Sequence, residues 1–288
     1  MKLTNLSHLP QPLYEAIAKK VYSKGDADYS ITELIGPARK RVLTLKHWHE
    51  LTEDALDRVW SLLGQVMHGV LERASDQGIK ELRLFTEVLG FKVSGQIDYY
   101  EKGKVSDYKL TTVSQFKGSG VKREFEEQIN CYAYLMRLHG YEVNELEIVG
   151  VLRDWSMFRV NEPDYPQKQV VVRSVPMWSQ DQCKQFIEER VRIHQEAIRV
   201  LPRCTDEERW IAKREFRTLK PGAKRSTKNF DSRAEADEFC AKNKGLFVVE
   251  KPKSYNRCER YCPVAKFCTQ YQENKNQVKI EETTTTST

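Results

Sequence analysis

Long apolar runs are missing from these 288 residues. The longest, such as Glu147–Leu152, fall far short of the ~20 consecutive apolar residues that a membrane-crossing helix needs. The opening residues MKLTNLSHLPQPLYEAIAKK hold no apolar signal core. These absences predict a chain that is not exported, has no membrane partner and stays in the cytoplasm. There is no internal repeat. Cysteine is scarce and odd in number, seven in all, which argues against a disulfide framework and for free thiols in a reducing compartment. Any cluster of those thiols is then a candidate metal site. The charge excess is small, 47 lysines and arginines against 41 acids for a formal +6, and by itself it permits contact with a polyanion without demanding one. What is present is enough apolar material, 40% of residues, for one large domain or one domain with an appendage.

Over about 49–74, Leu56, Val59, Trp60, Leu63, Met67, Val70 and Leu71 recur at helical spacing and predict one long amphipathic helix, with Thr52 as its N-cap. The stretches ELRLFTEVLGF, KVSGQIDYYEK and KVSDYKLT alternate or cluster β-forming residues around short turns, including the compact EKGK connection at 101–104. They predict a three-strand antiparallel meander. A second helix is expected over about 121–139, with Phe125, Ile129, Tyr132, Ala133 and Met136 on one side and Gly140 as its stop. ELEIVGVLRDW and KQVVVRSV read as two more strands, and a third long helix runs from Ser179 to about Val200. This order predicts an α/β fold, a mixed central β-sheet flanked by helices. The expected division is a core over 1–200 with a helical amino-terminal segment, then a basic, helical, cysteine-bearing appendage over 201–272 packed on that core. A polar tail over 273–288 is expected to be disordered.

Acids sit where this pattern wants apolar side chains. Asp98 and Asp107 lie on neighbouring predicted strands, and Lys109, two residues after Asp107, shares its face because strand side chains alternate with period two. Paired carboxylates repel and are costly to bury unless a cation neutralises them, and such hard oxygen donors suit Mg²⁺ or Mn²⁺. An ammonium beside that cation can assist an attacking water or stabilise charge developing on a phosphate. The competing reading is a solvated sheet face on which the acids pair with lysines such as Lys104.

Four short motifs decide between the two. Gly64-Gln-Val-Met-His68 lies on the first helix, Gly95-Gln-Ile-Asp98 on the second strand, Asp107-Tyr-Lys109 on the third, and Gln128-Ile-Asn-Cys-Tyr132 on the next helix. In this order and context the chain, over roughly 30–155, resembles the RecB-type branch of the PD-(D/E)XK nuclease superfamily, which includes AddB-type, CRISPR-adaptation and phage exonuclease-like proteins. That branch carries G-x-x-x-H, G-x-x-D, (D/E)-x-K and Q-x-x-x-Y in turn. The resemblance implies a restriction-endonuclease-like core and a deoxyribonuclease, expected to be an exonuclease of recombination, replication or repair. It implies Mg²⁺ or Mn²⁺ held by His68, Asp98, Asp107 and the Tyr108 backbone carbonyl, with Lys109 at the attacking water. It gives Gln128 and Tyr132 the task of contacting DNA or orienting the site. DNA is the implied partner, with a helicase or a recombination or replication protein as a further one; oligomeric state is not indicated. Two alternatives stand: a metal-dependent endonuclease or nickase, and a catalytically silent nucleic-acid-binding module of the same fold.

Other residues carry two readings each. Gly64, four residues before His68, is read as a small residue that lets the helix approach the sheet closely. Tyr132 also fits a core position, and Glu87 is either a further oxygen ligand or a solvent-facing acid. Lys117, Lys122 and Arg123, near Gly118 and Gly120, offer cations and amides to phosphate or form an ordinary solvated helix start. Upstream, YSITELIGPARKRVL resembles the same branch in its serine-led helix followed by a basic cluster. Arg39, Lys40 and Arg41 there are candidates for a DNA backbone contact or for plain helix surface. Finally, Cys258, Cys262 and Cys268 in NRCERYCPVAKFCTQY resemble the carboxy-terminal half of an iron–sulfur staple. The amino-terminal fourth cysteine of that pattern is absent, since the place reads Gly36-Pro37. A [4Fe–4S] cluster with Cys240, Cys204 or another side chain as fourth ligand, a zinc site, and a metal-free remnant are the three readings.

Overall fold

The computed structural model describes residues 1–19, 24–74, 77–212, 215–251 and 253–275. It divides into two compact units, Met1–Ala38 with His49–Leu201 and Arg39–Trp48 with the chain from Pro202 onward. In the first unit the elements are β1 (Lys2–Thr4), α1 (Gln11–Ala18), β2 (Tyr29–Ser30) and α2 (Ile31–Ile35). After α3 (Ala38–Lys46), nearly all of which belongs to the second unit, come β3 (Thr52–Asp54), α4 (Val59–Glu72), β4 (Ile79–Val88), β5 (Phe91–Glu101) and β6 (Lys104–Thr111). They are followed by α5 (Arg123–Leu138), β7 (Glu145–Leu152), β8 (Val170–Ser174) and α6 (Gln180–Arg199). The result is a mixed α/β unit whose central mixed sheet is flanked by helices.

Local chemistry accounts for the boundaries. Leu89-Gly90 and Lys102-Gly103 have φ of 51° and 80°, and 46° and 84°, so both turns of the β4–β5–β6 meander take the backbone of a two-residue hairpin connection. Ser30 caps α2 and Ser179 caps α6, each in a reciprocal capping box with Glu33 and Gln182. Gly140, at φ 82°, stops α5. Along β7 every second residue is buried, Leu146, Ile148, Gly150 and Leu152, which is the period of a strand with one covered face.

The strand pairing prepares an opening. β4 runs antiparallel to β5 along nearly its full length, but the other edge of β5 is shared. β2 pairs parallel with its start, Tyr29 with Val93 and Ser30 with Ser94, whereas β6 pairs antiparallel only with its end, from Tyr99–Ser106 to Glu101–Lys104. Beyond β6 the sheet continues with parallel β7 and antiparallel β8. β5 and β6 therefore part at the position where Asp98 and Asp107 would have faced each other. α5 packs against β4, β5, β6 and β7, and its Ile129, Ala133, Leu135 and Met136 are fully buried in the core.

Gly95 owes its identity to that packing. A Cβ there would lie 2.6 Å from Leu135 Cδ1 and 3.0 Å from Tyr132 Cδ1. Gly95→Ala is expected to cost about 1–3 kcal/mol through overpacking, read as a lower urea midpoint with an unchanged m value. Gly64 behaves oppositely, and the close approach expected of it is corrected: nothing lies within 4 Å of a Cβ built there.

Two expectations about the first long helix are also corrected. Thr52 is no N-cap, because it pairs with Lys2 in the parallel β1–β3 ladder. The helix begins later, after a 3₁₀ turn at Ala55–Arg58 in which Asp54 accepts from the Leu56 N–H at 3.1 Å. No residue of α4 is buried, and Trp60, Val66 and Val70 are more than half exposed. Helical periodicity identified the element but not how much of its apolar face would be covered.

The second unit holds β-structure that the sequence reading did not assign. Its elements after α3 are β9 (Ile211–Ala212), β10 (Glu215–Leu219), β11 (Lys228–Phe230), α7 (Arg233–Lys242), β12 (Phe247–Lys251) and β13 (Ser254–Tyr255). β10 is the middle strand of an antiparallel β11–β10–β12 sheet, with α7 against it, and β9 pairs with β13. Within the expected tail, Glu273 accepts an ion pair from Arg203 at 2.7 Å, while residues 276–288 lie outside the described residues. No helix among the described residues is long and apolar enough to cross a membrane.

Candidate active site

Where β5 and β6 part, side chains replace the ladder. Asp98 Oδ2 accepts the Tyr108 backbone N–H at 2.8 Å, which fixes the Asp98 carboxylate between the strands. Across β5, Glu81 stands in register with Asp98, between the Lys80–Tyr99 and Leu82–Ile97 pairs, but takes a left-handed φ of 49°. That conformation is costly for a residue with a Cβ, and such outliers concentrate at functional sites. Its side chain meets α4: Glu81 Oε1 lies 2.9 Å from His68 Nδ1, and His68 Nδ1 is 3.7 Å from Asp98 Oδ1. Gln96 Nε2 donates to Glu81 Oε2 while Gln96 Oε1 accepts from Arg83, so the acid is held from both sides.

Ligand atoms of His68, Glu81 and Asp98 lie within 4.8 Å of one another, close enough for one ion. An imidazole and two carboxylates are a donor set that a divalent cation can use. Their electrostatics fit a cation as well. Burial, and after it the neighbouring Asp107 charge, push the Asp98 carboxyl up to about 7, against the opposing pull of Lys109, His68 and the Tyr108 N–H. The imidazole's hydrogen bond to the Glu81 carboxylate raises the His68 pKa above its ordinary value, opposed by burial and helped by the Asp98 charge. Both groups thus favour protons that a divalent cation would displace.

Asp107 is placed differently from the expectation of a shared ligand set. It is 1% exposed, and its Oδ2 lies 2.6 Å from Lys109 Nζ. Lys109 also donates to Gln128 Oε1 at 2.8 Å, and Gln128 Nε2 donates to the Tyr132 hydroxyl at 2.7 Å. The Q-x-x-x-Y pair on α5 is therefore tied to the ammonium by a continuous hydrogen-bond chain. Burial, then the charges of Asp107 and Asp98, hold the Tyr132 phenol well above its usual pKa, so it stays a neutral hydroxyl. All these groups line one cleft of about 640 Å³, together with Gly64, Gly69 and Thr32. Gly64, with open space around it, leaves room in that cleft.

The structure does not bring every predicted residue there. Glu87 is exposed opposite Lys92 at the far end of the β4–β5 hairpin, so the strand's contributing acid is Glu81, which the sequence reading missed. Strand parity puts both acids on the same face, and the positive φ that turns Glu81 toward His68 leaves no mark in the sequence. Lys117 is exposed, Lys122 pairs with Glu124 at 2.9 Å, and the exposed Arg123 pairs with Glu127 at 2.8 Å, all near the start of α5. Arg39 is corrected as a DNA contact. It is 5% exposed, and its guanidinium donates to Cys268 Sγ at 3.2 Å, Pro202 O at 3.0 Å and Thr269 Oγ1 at 2.7 Å, all within the second unit. Arg41, also in the second unit, is half-buried, with Nε and Nη1 inaccessible to solvent.

Two of the second unit's five cysteines, Cys268 and Cys204, lie beside that guanidinium. Burial first, then Glu208 and the thiols of Cys268 and Cys258, push the Cys204 thiol up to about 12, and burial likewise raises Cys262, with Cys258 and Cys268 adding to it. Through those electrostatic contacts Cys258 and Cys262 are linked to Cys268 and Cys204. Gln270 clamps Cys204, accepting from its backbone N–H and donating to its carbonyl, both at 2.8 Å. Among the described residues no three of these sulfurs lie within 4.8 Å of one another.

No family model and no curated protein matches the chain. Among solved structures, the crystal structure of SSO0001 is 14% identical with a TM-score of 0.46, over 69% of this chain and 89% of that one. A protein from Eubacterium rectale, provisionally assigned as an exonuclease, is 15% identical with a TM-score of 0.30, over 47% of this chain and 55% of that one. Likeness this distant carries no functional weight, and the cleft itself has to supply the chemistry.

Proposed function

We propose that the chain is a divalent-metal-dependent nuclease that hydrolyses phosphodiester bonds of DNA, acting as an exonuclease. One observation carries the reading: His68, Glu81 and Asp98 converge to within 4.8 Å in a cleft that also holds the Lys109 ammonium. The four motifs shared in order with PD-(D/E)XK nucleases support DNA as the substrate. His68, Glu81 and Asp98 would hold Mg²⁺ or Mn²⁺, with Asp107 and the Tyr108 carbonyl as further donors. Such a cation supplies Lewis acidity and a more acidic water. The chain's own groups do the positioning. Asp107 and Gln128 aim the Lys109 ammonium, which donates to the attacking water or to a non-bridging phosphate oxygen as charge builds there. Tyr132, kept neutral, anchors Gln128 rather than acting as a base.

The test uses end-labelled linear, covalently closed circular and single-stranded DNA with Mg²⁺, Mn²⁺ or EDTA. Linear substrates are expected to shorten from their ends, circles to persist, and EDTA to stop all cutting. Nicked circles would reassign the enzyme as an endonuclease. Cutting that survives chelation would remove the metal from the mechanism, and binding with no cutting would favour the silent module.

The grouping of thiols supports a second centre, a [4Fe–4S] cluster on Cys204, Cys258, Cys262 and Cys268, with Cys204 rather than Cys240 as the fourth ligand. Protein purified without oxygen is expected to absorb near 400 nm. Cys204→Ser should lose most of that band and Cys240→Ser should keep it; the reverse outcome, or a colourless protein carrying zinc, refutes the assignment.

A further inference from the structure

Twelve lysines and arginines against six acids fall between Ile211 and Lys253, an excess equal to the +6 of the whole chain, so the remaining residues balance. The bias is steepest over residues 213–228, with seven cations and one acid. The described part of this segment folds as the β11–β10–β12 sheet with α7 over one face. That covered face carries Phe216, 9% exposed, Thr218, 0% exposed, and Phe230, whose ring centroid is 5.3 Å from that of Phe239 on α7. Strand alternation puts Arg217, Leu219, Phe247 and Val249 on the opposite face. That face is open: Phe247 is 45% and Val249 39% exposed.

Register sets Phe247 beside Leu219, where β10 passes into an exposed hairpin loop bearing Lys220, Lys224 and Arg225. Glu215, the acid on this face, is already neutralised by Arg217 at 3.0 Å, with Lys251 at 3.8 Å. A bare aromatic ring on a sheet beside a run of cations has the two parts of a single-strand binding platform, a surface for base stacking and charges for consecutive phosphates. Duplex DNA keeps its bases stacked on each other and would use the cations alone.

We infer that this open face and its loop bind single-stranded DNA. The inference rests on the proposed nuclease reading only for the choice of DNA over RNA. The test is fluorescence anisotropy of the full chain in EDTA, where no cutting competes, with a labelled 20-nucleotide oligo-dT, the matching RNA and a duplex, at several salt concentrations. Two variants are compared with the parent: Phe247→Ala, and the loop variant K220E/K224E/R225E, which changes only exposed side chains. Each should weaken oligo-dT binding about tenfold or more, and the loop variant should flatten the log–log salt dependence by about 2, near 0.7 per lost phosphate contact. Phe247→Ala should leave duplex binding nearly unchanged. Parent-like binding by both variants, equal losses on duplex in Phe247→Ala, or a parent preference for RNA would each overturn the inference. The Mn²⁺ responses of the cleft are read separately, so a failure here is distinguishable from failure of the nuclease reading.

Discussion

Lys109→Met is expected to abolish metal-dependent cleavage, with kcat falling on the order of 10³-fold while DNA affinity in EDTA stays within about twofold. The size follows from the loss of one preorganised donor aimed at charge that develops only in the transition state. Methionine matches the length of the lysine's apolar stem and lacks only the terminal ammonium, so packing of the stem is preserved. The structure adds a consequence that the motif alone does not carry. Lys109 is the ion-pair partner of Asp107, which is 1% exposed, so the variant leaves a buried carboxylate without its counter-ion. Breaking such a pair costs about 3 kcal/mol, which should appear as a lower Tm in EDTA. Mn²⁺ should restore part of that Tm by supplying positive charge to the same cleft, without restoring turnover. Cleavage at parental rates would remove Lys109 from the chemistry; a Tm unaffected by Mn²⁺ in both proteins would remove the metal from the cleft.

That dual role shows what the sequence could and could not reveal. The meander was legible because β-forming runs flank the compact EKGK connection that holds Lys102-Gly103, and α5 because Gly140 ends a clear helical period, whereas the turn at Leu89-Gly90 lay inside a run read as strand. Asp98, Asp107 and Lys109 were legible because charge in the middle of a strand conflicts with the local pattern. Coordination detail was not. Whether Asp107 faces the ion or the ammonium depends on where β5 and β6 part, and that follows from β2 taking over the edge of β5. Arg39 looked like a surface cation because its neighbours are basic; it is buried because residues 202 and 268–269, more than 160 positions away, close over it within the second unit. The β11–β10–β12 sheet was hidden by its composition, since a strand such as Glu215-Phe-Arg-Thr-Leu219 reads as part of a basic stretch until its partners are known.

Glu81 is the sharpest case, and Glu81→Gln beside Glu87→Gln separates the structure from the pattern. Both changes remove one negative charge from the same strand, and glutamine preserves shape in each. Only Glu81 reaches His68, at 2.9 Å, and belongs to the trio within 4.8 Å. Glu81→Gln should therefore reduce cleavage by about 10²-fold or more and abolish most of the Mn²⁺-induced rise in Tm, because a neutral amide replaces a carboxylate donor. Glu87→Gln, exposed at the far hairpin, should match the parent in both assays. A metal-free readout checks the contact itself. The Glu81 hydrogen bond is the largest cause raising the His68 pKa, so in Glu81→Gln the imidazole should titrate at lower pH, followed by its ring resonances in NMR. A His68 titration that does not move, with full cleavage, would place Glu81 outside the site and return the ligand set to Asp107. A shifted titration with full cleavage would keep Glu81 as a support for His68 and deny it the ion.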